Sequence, residues 1–176
     1  MKKKVFIING SASENSSNQR LIGNIIELSN NDFDSVVYSD LKTLPHFDPE
    51  LSITNTPKEI LELREQIESS DGIIICTPEY VFSIPSGLKN AIEWCISTTI
   101  FSNKPTGLIT ASASGEMGHK ELQLIMKTAM AKFTPETTLL IQGIKGKIDL
   151  DGRITNSKTK EEFMQFISNF IKLLNE

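Results

Sequence analysis

Gly72-Ile73-Ile74-Ile75-Cys76-Thr77 narrows the choice of fold more than any other stretch of the chain. It is an apolar run of strand length with no polar alternation. A strand with one wet face alternates apolar and polar residues, whereas an unbroken run is expected where both faces are covered. Covering both faces of a sheet takes helices on each side of it, and that in turn calls for mainly parallel strands joined through those helices.

The rest of the chain reads in that rhythm. Lys4 to Ile8, Ser35 to Tyr38, Thr106 to Thr110 and Thr138 to Ile141 are further strand-length runs. Between them lie helical stripes. Leu21, Ile22, Ile25 and Ile26 form the first, and Ile60, Leu61, Leu63 and Ile67 the second. Leu88, Ala91, Ile92 and Cys95 form the third, and Leu122, Ile125, Met126, Ala129 and Met130 the fourth. Phe163, Phe166, Ile167, Phe170, Ile171 and Leu174 make the last. Thr56-Pro57-Lys58-Glu59 predicts a capping box with proline in the first helical position. Thr159 with Glu162 predicts a cap on the last helix. No repeat or linker interrupts the pattern, so residues 1–176 read as a single α/β domain with a five-stranded parallel sheet.

Composition excludes some function classes. The net charge is −4 without a long basic run, which argues against a nucleic-acid binder. No apolar stretch reaches membrane-spanning length, so no membrane partner is expected. Met1-Lys2-Lys3-Lys4 resembles the start of a signal peptide, but the apolar run behind it is too short, which leads to a cytoplasmic expectation. Cys76 and Cys95 are not at metal spacing and sit on apolar stretches, so they read as buried thiols.

In sheets of this kind ligands sit outside the carboxyl ends of the strands, where the strand order reverses. Polar loops follow strands one, three and four. Asn9-Gly10-Ser11-Ala12-Ser13-Glu14-Asn15-Ser16-Ser17-Asn18 is nearly all hydroxyls, amides and free N–H groups running into a helix start, a natural anion site. An ordinary Ser/Asn helix cap is the bland alternative. The loop has neither the GxGxxG pattern nor a Walker lysine, which suits a terminal monophosphate. Residues 77–85 and 111–118 carry little charge and much accessible backbone. That suits a flat ring read by main-chain hydrogen bonds.

These residues resemble the NAD(P)H-dependent FMN reductases, a group that includes quinone, azo-dye and chromate reductases. Gly10-Ser11, Ser16 and Asn18 are similar to that family's GSxRxxSxN loop. Leu44-Pro45 with Phe47 to Leu51 is similar to its LPxF stretch. Thr77-Pro78-Glu79-Tyr80, Ser83-Ile84-Pro85 and Leu88 to Trp94 are similar to its PEYNxSxPxxLKNAIDW segment. Ser112, Gly115 and Gly118 resemble its third loop, and the Asp149 to Gly152 stretch resembles the acidic turn before its last helix.

The resemblance implies a flavodoxin-like three-layer sandwich with strand order 2-1-3-4-5. It also implies bound FMN, NADPH or NADH as co-substrate, a small-molecule electron acceptor, and a homodimer or dimer of dimers. Ser11, Ser13, Ser16, Ser17 and Asn18 are then the residues expected around the phosphate. Pro78, Glu79, Tyr80 and Val81 are expected along the ring, and Ser112, Ser114 and Gly115 at its other edge or the ribityl chain. FMN carries the hydride chemistry, so no catalytic acid, base or metal ligand is nominated.

Two positions depart from the family pattern. Its loop arginine is Ser13 here, and its asparagine after PEY is Val81. The competing readings are a flavodoxin-type electron carrier or non-enzymatic flavin-binding module and, supported by Ser13 and Val81, a flavin-fold protein that has lost FMN and serves as an interaction or regulatory module. Trp94 reads as core or interface, with Phe47 beside a subunit contact. His46 reads as an exposed turn residue or part of a subunit contact, His119 as solvated, and Lys89 and Glu93 as an exposed helix face. Asp149 and Asp151 lack the glycine and glutamate of a calcium loop and read as a turn.

Overall fold

Every strand of the sheet is parallel, and the strands lie in the order β2-β1-β3-β4-β5. A computed structural model describes residues 2–176. β1 spans Lys3–Asn9, β2 Phe33–Tyr38, β3 Gly72–Thr77, β4 Thr106–Ser112 and β5 Thr138–Gln142. The helices are α1 Ser17–Ser29, α2 Lys58–Glu68, α3 Ser86–Cys95, α4 Glu116–Thr128 and α5 Ser157–Asn175.

Side chains on a strand alternate between faces, so each central strand feeds two cores. Phe6, Ile8, Ile73, Ile75 and Leu108 point to one side, against α2, α3 and α4. Val5, Ile7, Ile74, Cys76 and Ile109 point to the other, against α1 and α5. This is why β3 carries no polar residue before its end. The α5 phenylalanines Phe163, Phe166 and Phe170 are all in the second core. Leu61 and Ile26, at the margins of their stripes, are exposed. Met130 is also exposed, because α4 has ended and Met130 takes a positive φ of 60°.

Two expected caps do not form. Pro57 occupies the N-cap of α2 with no side-chain bond, and Thr56 Oγ1 instead donates to Leu51 O at 2.9 Å. Thr56 is drawn into the preceding loop, which removes it from the helix start. At α5 the cap is Asn156, whose Oδ1 accepts from Thr159 N–H at 2.9 Å. Thr159 therefore lies inside the first turn of the helix and receives the cap's bond rather than making it. Asp149 forms a turn in which Oδ1 accepts from Arg153 N–H and the carbonyl from Gly152 N–H.

Trp94 belongs to the core rather than to an interface. It is 0% exposed, its indole N–H donates to Pro45 O at 2.8 Å, and Phe47 packs on it edge to face at 5.4 Å. Lys89 and Glu93 are half-exposed and paired at 2.6 Å.

Candidate functional site

The strand order reverses beside β1, and the loop that follows β1 is built tightly against β3. Gly10 N–H donates to Cys76 O at 2.8 Å. A Cβ on Gly10 would stand 2.4 Å from Thr77 Oγ1, so only glycine lets the two strands lie this close. Asn9 Oδ1 then accepts from Ser11 N–H at 3.1 Å, and Ser11 Oγ accepts from Ser13 N–H at 3.2 Å. Ser16 caps α1, its Oγ accepting from Gln19 N–H at 3.1 Å.

These bonds use the oxygens of Ser11 and Ser16 as acceptors and leave their hydroxyl hydrogens able to donate. Ser17 and Asn18 open α1, where the first N–H groups have no helical partner and the dipole is positive. The loop is thus an ordered set of donors. Asn18 plays a different part from the one its position suggests. Its side chain is buried, donating from Nδ2 to Ala111 O at 3.1 Å while Oδ1 accepts from Cys76 Sγ at 3.4 Å. It bolts α1 to β3 and β4, and only its backbone N–H belongs to the donor set.

The loops after β3 and β4 are held to each other by Glu79. One carboxylate oxygen accepts from Gly115 N–H at 3.0 Å and the other from Gly118 N–H at 2.8 Å. Ser112 Oγ donates to Glu79 O at 3.4 Å. Glu79 therefore caps the start of α4, and the Gly115 N–H is already engaged. Pro78 is buried, while Tyr80, Val81 and Ser114 are exposed. Tyr80 OH lies 3.5 Å from Ser13 Oγ, joining the loop after β1 to the loop after β3. Ser13, which replaces an arginine in the pattern, thus sits against Tyr80.

A cavity of about 430 Å³ opens beside this junction. Ser11, Ser13 and Tyr80 line it, together with Ser39, Asp40, Lys42, His46, Ser86, Gly87 and Asn90. Ser16, Ser17, Asn18, Pro78, Glu79, Val81, Ser112, Ser114 and Gly115 stand outside its wall. Glu14 and Lys42 face each other across its edge at 3.9 Å. Residues 39–42 escaped the sequence reading, although a polar loop after β2 falls at the same strand edge. Asn90 lies within the Leu88 to Trp94 segment, and the sequence gives it no role of its own. Its amide donates to Pro45 O at 2.9 Å and accepts from Phe47 N–H at 2.7 Å, fixing one wall.

His119 is buried rather than solvated, with Nδ1 2.9 Å from Thr110 Oγ1. Burial holds its pKa below the ordinary histidine value, so the ring is neutral near pH 7. The Cys76 and Cys95 thiols are both buried, and burial raises both pKa values.

Both the sequence and the fold have known counterparts. A family profile described as NADPH-dependent FMN reductase matches residues 3–143. A 2-hydroxy-1,4-benzoquinone reductase from Burkholderia sp is 26% identical, covering 97% of this chain and 95% of its own. An NADPH:quinone oxidoreductase from Arabidopsis thaliana is 26% identical, covering 93% and 88%. Among solved structures, the flavoenzyme NAD(P)H:(acceptor) oxidoreductase FerB from Paracoccus denitrificans superposes with a TM-score of 0.83 at 25% identity, covering 98% and 97%.

Proposed function

The chain belongs to the NADPH-dependent FMN reductase family, and we propose that its loops after β1, β3 and β4 hold FMN at the carboxyl edge of the sheet. It is an NAD(P)H-dependent oxidoreductase. The observation that carries the site assignment is the joining of these loops through the Ser13–Tyr80 and Glu79–Gly115 contacts.

The residues present fit the cofactor. A phosphate asks for donors without nearby acceptor charge. Ser11 and Ser16 hydroxyls and the Ser17 and Asn18 N–H groups supply them at the positive end of α1. Glu14, the one carboxylate of the loop, faces Lys42. Ser13 and Tyr80 close the space between phosphate loop and ring loop. The backbone of 78–81 and of 112–114 offers the ring edges its polar partners, and Glu79 keeps those two loops in register.

Bound FMN supplies the hydride-accepting and two-electron chemistry of the reaction. The protein's part is placement. Hydride transfer needs reacting atoms aligned at close range, and rigidly held loops provide that alignment. The cavity beside Tyr80 has the size of a small-molecule site. Nicotinamide and acceptor would occupy it in turn, which predicts ping-pong kinetics. A quinone is the acceptor class proposed, supported by the two relatives named for quinone reduction. NADPH and NADH both remain donors in this reading, because Ser13 lacks the guanidinium that would grip a nucleotide phosphate.

A homodimer or dimer of dimers is the assembly proposed, on the strength of the family resemblance. Because Trp94 is fully buried within one chain, Phe47 and neighbouring loop residues would form that contact without it. Light scattering at micromolar concentration tests this.

The test of function is NADPH oxidation with a benzoquinone acceptor by FMN-loaded protein, wild type against Tyr80→Ala. The site reading expects Tyr80→Ala to reduce turnover more than FMN retention. Equal turnover in the two proteins would remove Tyr80 from the site. Flavin that accepts no electrons from either nucleotide would favour the electron-carrier reading.

A further inference from the structure

We propose that Glu121, on α4, is a positioning residue that holds the Tyr80–Ser83 turn in the strained shape presented to the ring. The proposal rests on the reading that residues 78–81 line the bound cofactor.

The turn is a tight two-residue reversal. Tyr80 N–H donates to Ser83 O at 2.9 Å, and Ser83 N–H to Tyr80 O at 3.1 Å. Both central residues have positive φ, 52° at Val81 and 60° at Phe82. That geometry suits asparagine and glycine, and a β-branched residue there is an outlier. No packing compensates, since Val81 is 94% exposed and Phe82 74%. Something else must hold the turn closed.

Glu121 is the group in place to do so. One oxygen of its carboxylate accepts from Ser83 Oγ at 2.6 Å and from Ile84 N–H at 2.9 Å. These are charge-assisted bonds on the outgoing arm of the turn. On the incoming arm, Glu79 binds Gly115 and Gly118 N–H. α4 thus grips both arms, one through its own carboxylate and the other through its N-terminal amides. Gly118 permits the close seat, because a Cβ there would stand 3.2 Å from Glu79 Cγ and 3.3 Å from Ser83 O. Removing Glu121 frees the arm that carries Ser83 and Ile84. The Val81–Phe82 strain then opens the turn and displaces Tyr80.

The experiment compares wild type, Glu121→Ala, the near-isosteric Glu121→Gln, and Glu121→Ala combined with Val81→Gly. Glycine accepts the positive φ without strain, so it should rescue a turn lost through strain. Amide hydrogen exchange on the cofactor-free chain reads the turn directly. Faster exchange at Tyr80, Ser83 and Ile84 is expected in Glu121→Ala, by about tenfold or more for the loss of bonds to a charged group. Glu121→Gln should fall between the two, and the double variant should return toward wild type at Tyr80 and Ser83, whereas Ile84, whose N–H has lost its acceptor, should stay fast. On the FMN-loaded proteins, Glu121→Ala should alter the visible circular dichroism of the flavin and lower kcat about tenfold, while FMN affinity stays within about twofold.

Unchanged exchange at the turn in both Glu121→Ala and Glu121→Gln overturns the proposal. So does an opening at Tyr80 and Ser83 that Val81→Gly does not reverse, because Glu121 would then act only on global stability. Altered exchange with unaltered flavin dichroism and turnover, in Glu121→Ala and in Tyr80→Ala alike, would locate the failure in the ring-side reading of 78–81. Altered dichroism in Tyr80→Ala alone would locate it in Glu121.

Discussion

Gly10→Ala is expected to damage both stability and cofactor binding, and the structure sets the scale. The added methyl would lie 2.4 Å from Thr77 Oγ1, 2.6 Å from Thr77 Cβ and 3.0 Å from Leu88 Cδ2. Comfortable carbon contacts begin at about 3.5 Å, so the overlap is about 1 Å. Thr77 cannot turn aside easily. It is fully buried, β-branched, and its Oγ1 donates to Pro78 O at 3.0 Å. Gly10 itself is tied to Cys76 O. Overpacking of this kind costs about 1–3 kcal/mol, and for a chain of this length each kcal/mol lowers Tm by about 2–4 °C. Ser11 and Ser13 follow directly, so a displaced loop should also weaken FMN binding by about tenfold, the value of one bond to a charged group. Thermal denaturation and FMN fluorescence titration measure the two effects. Gly23→Ala is the control, because a Cβ there meets nothing within 4 Å on the exposed side of α1. It should stabilise by about 0.5–1 kcal/mol. Gly10→Ala with wild-type Tm and wild-type FMN affinity would mean that the contact with Thr77 does not constrain the loop.

Ser16→Ala removes both the α1 cap and a proposed phosphate donor, so it should cost about 1 kcal/mol of stability and weaken FMN binding in the same titration. His119 has a folded pKa depressed by burial. Its contribution is therefore fully present above the ordinary histidine range and is lost as pH falls through the folded value. Stability measured by urea melts should decline on acidification below about pH 6.5, and His119→Gln should flatten that decline. Burial pushes the Cys95 thiol up to about 12 and raises Cys76 as well. A thiol-reactive dye at pH 8 should label neither cysteine in the native protein and both after denaturation.

Much of the sheet was legible in the sequence because hydrophobic periodicity reports directly on burial. Gly72–Thr77 is apolar throughout because both of its faces carry cores, and α5 shows its phenylalanine stripe because one side of the helix is covered. The missed caps have a local cause. Thr56 and Asn156 are both suitable partners for nearby N–H groups, and loop geometry decided which one bonds to a helix. The site residues that changed roles did so for nonlocal reasons. Asn18 is satisfied by Ala111, 93 positions away, and Glu79 by Gly115 and Gly118. Glu121 and Ser83 are 38 positions apart. No periodicity or motif announces such a pair, and only the packing of α4 against the turn brings it together. His119 looked solvated because it opens a helix, but that turn of α4 lies against Thr110 of β4.

Anaerobic mixing of FMN-loaded protein with excess NADPH, and separately with NADH, shows whether a nicotinamide nucleotide reduces the bound flavin. The oxidised-flavin absorbance should disappear with at least one of the two nucleotides and return when benzoquinone is added. An oxidised spectrum that persists with both nucleotides would mean that the bound flavin takes no hydride from either.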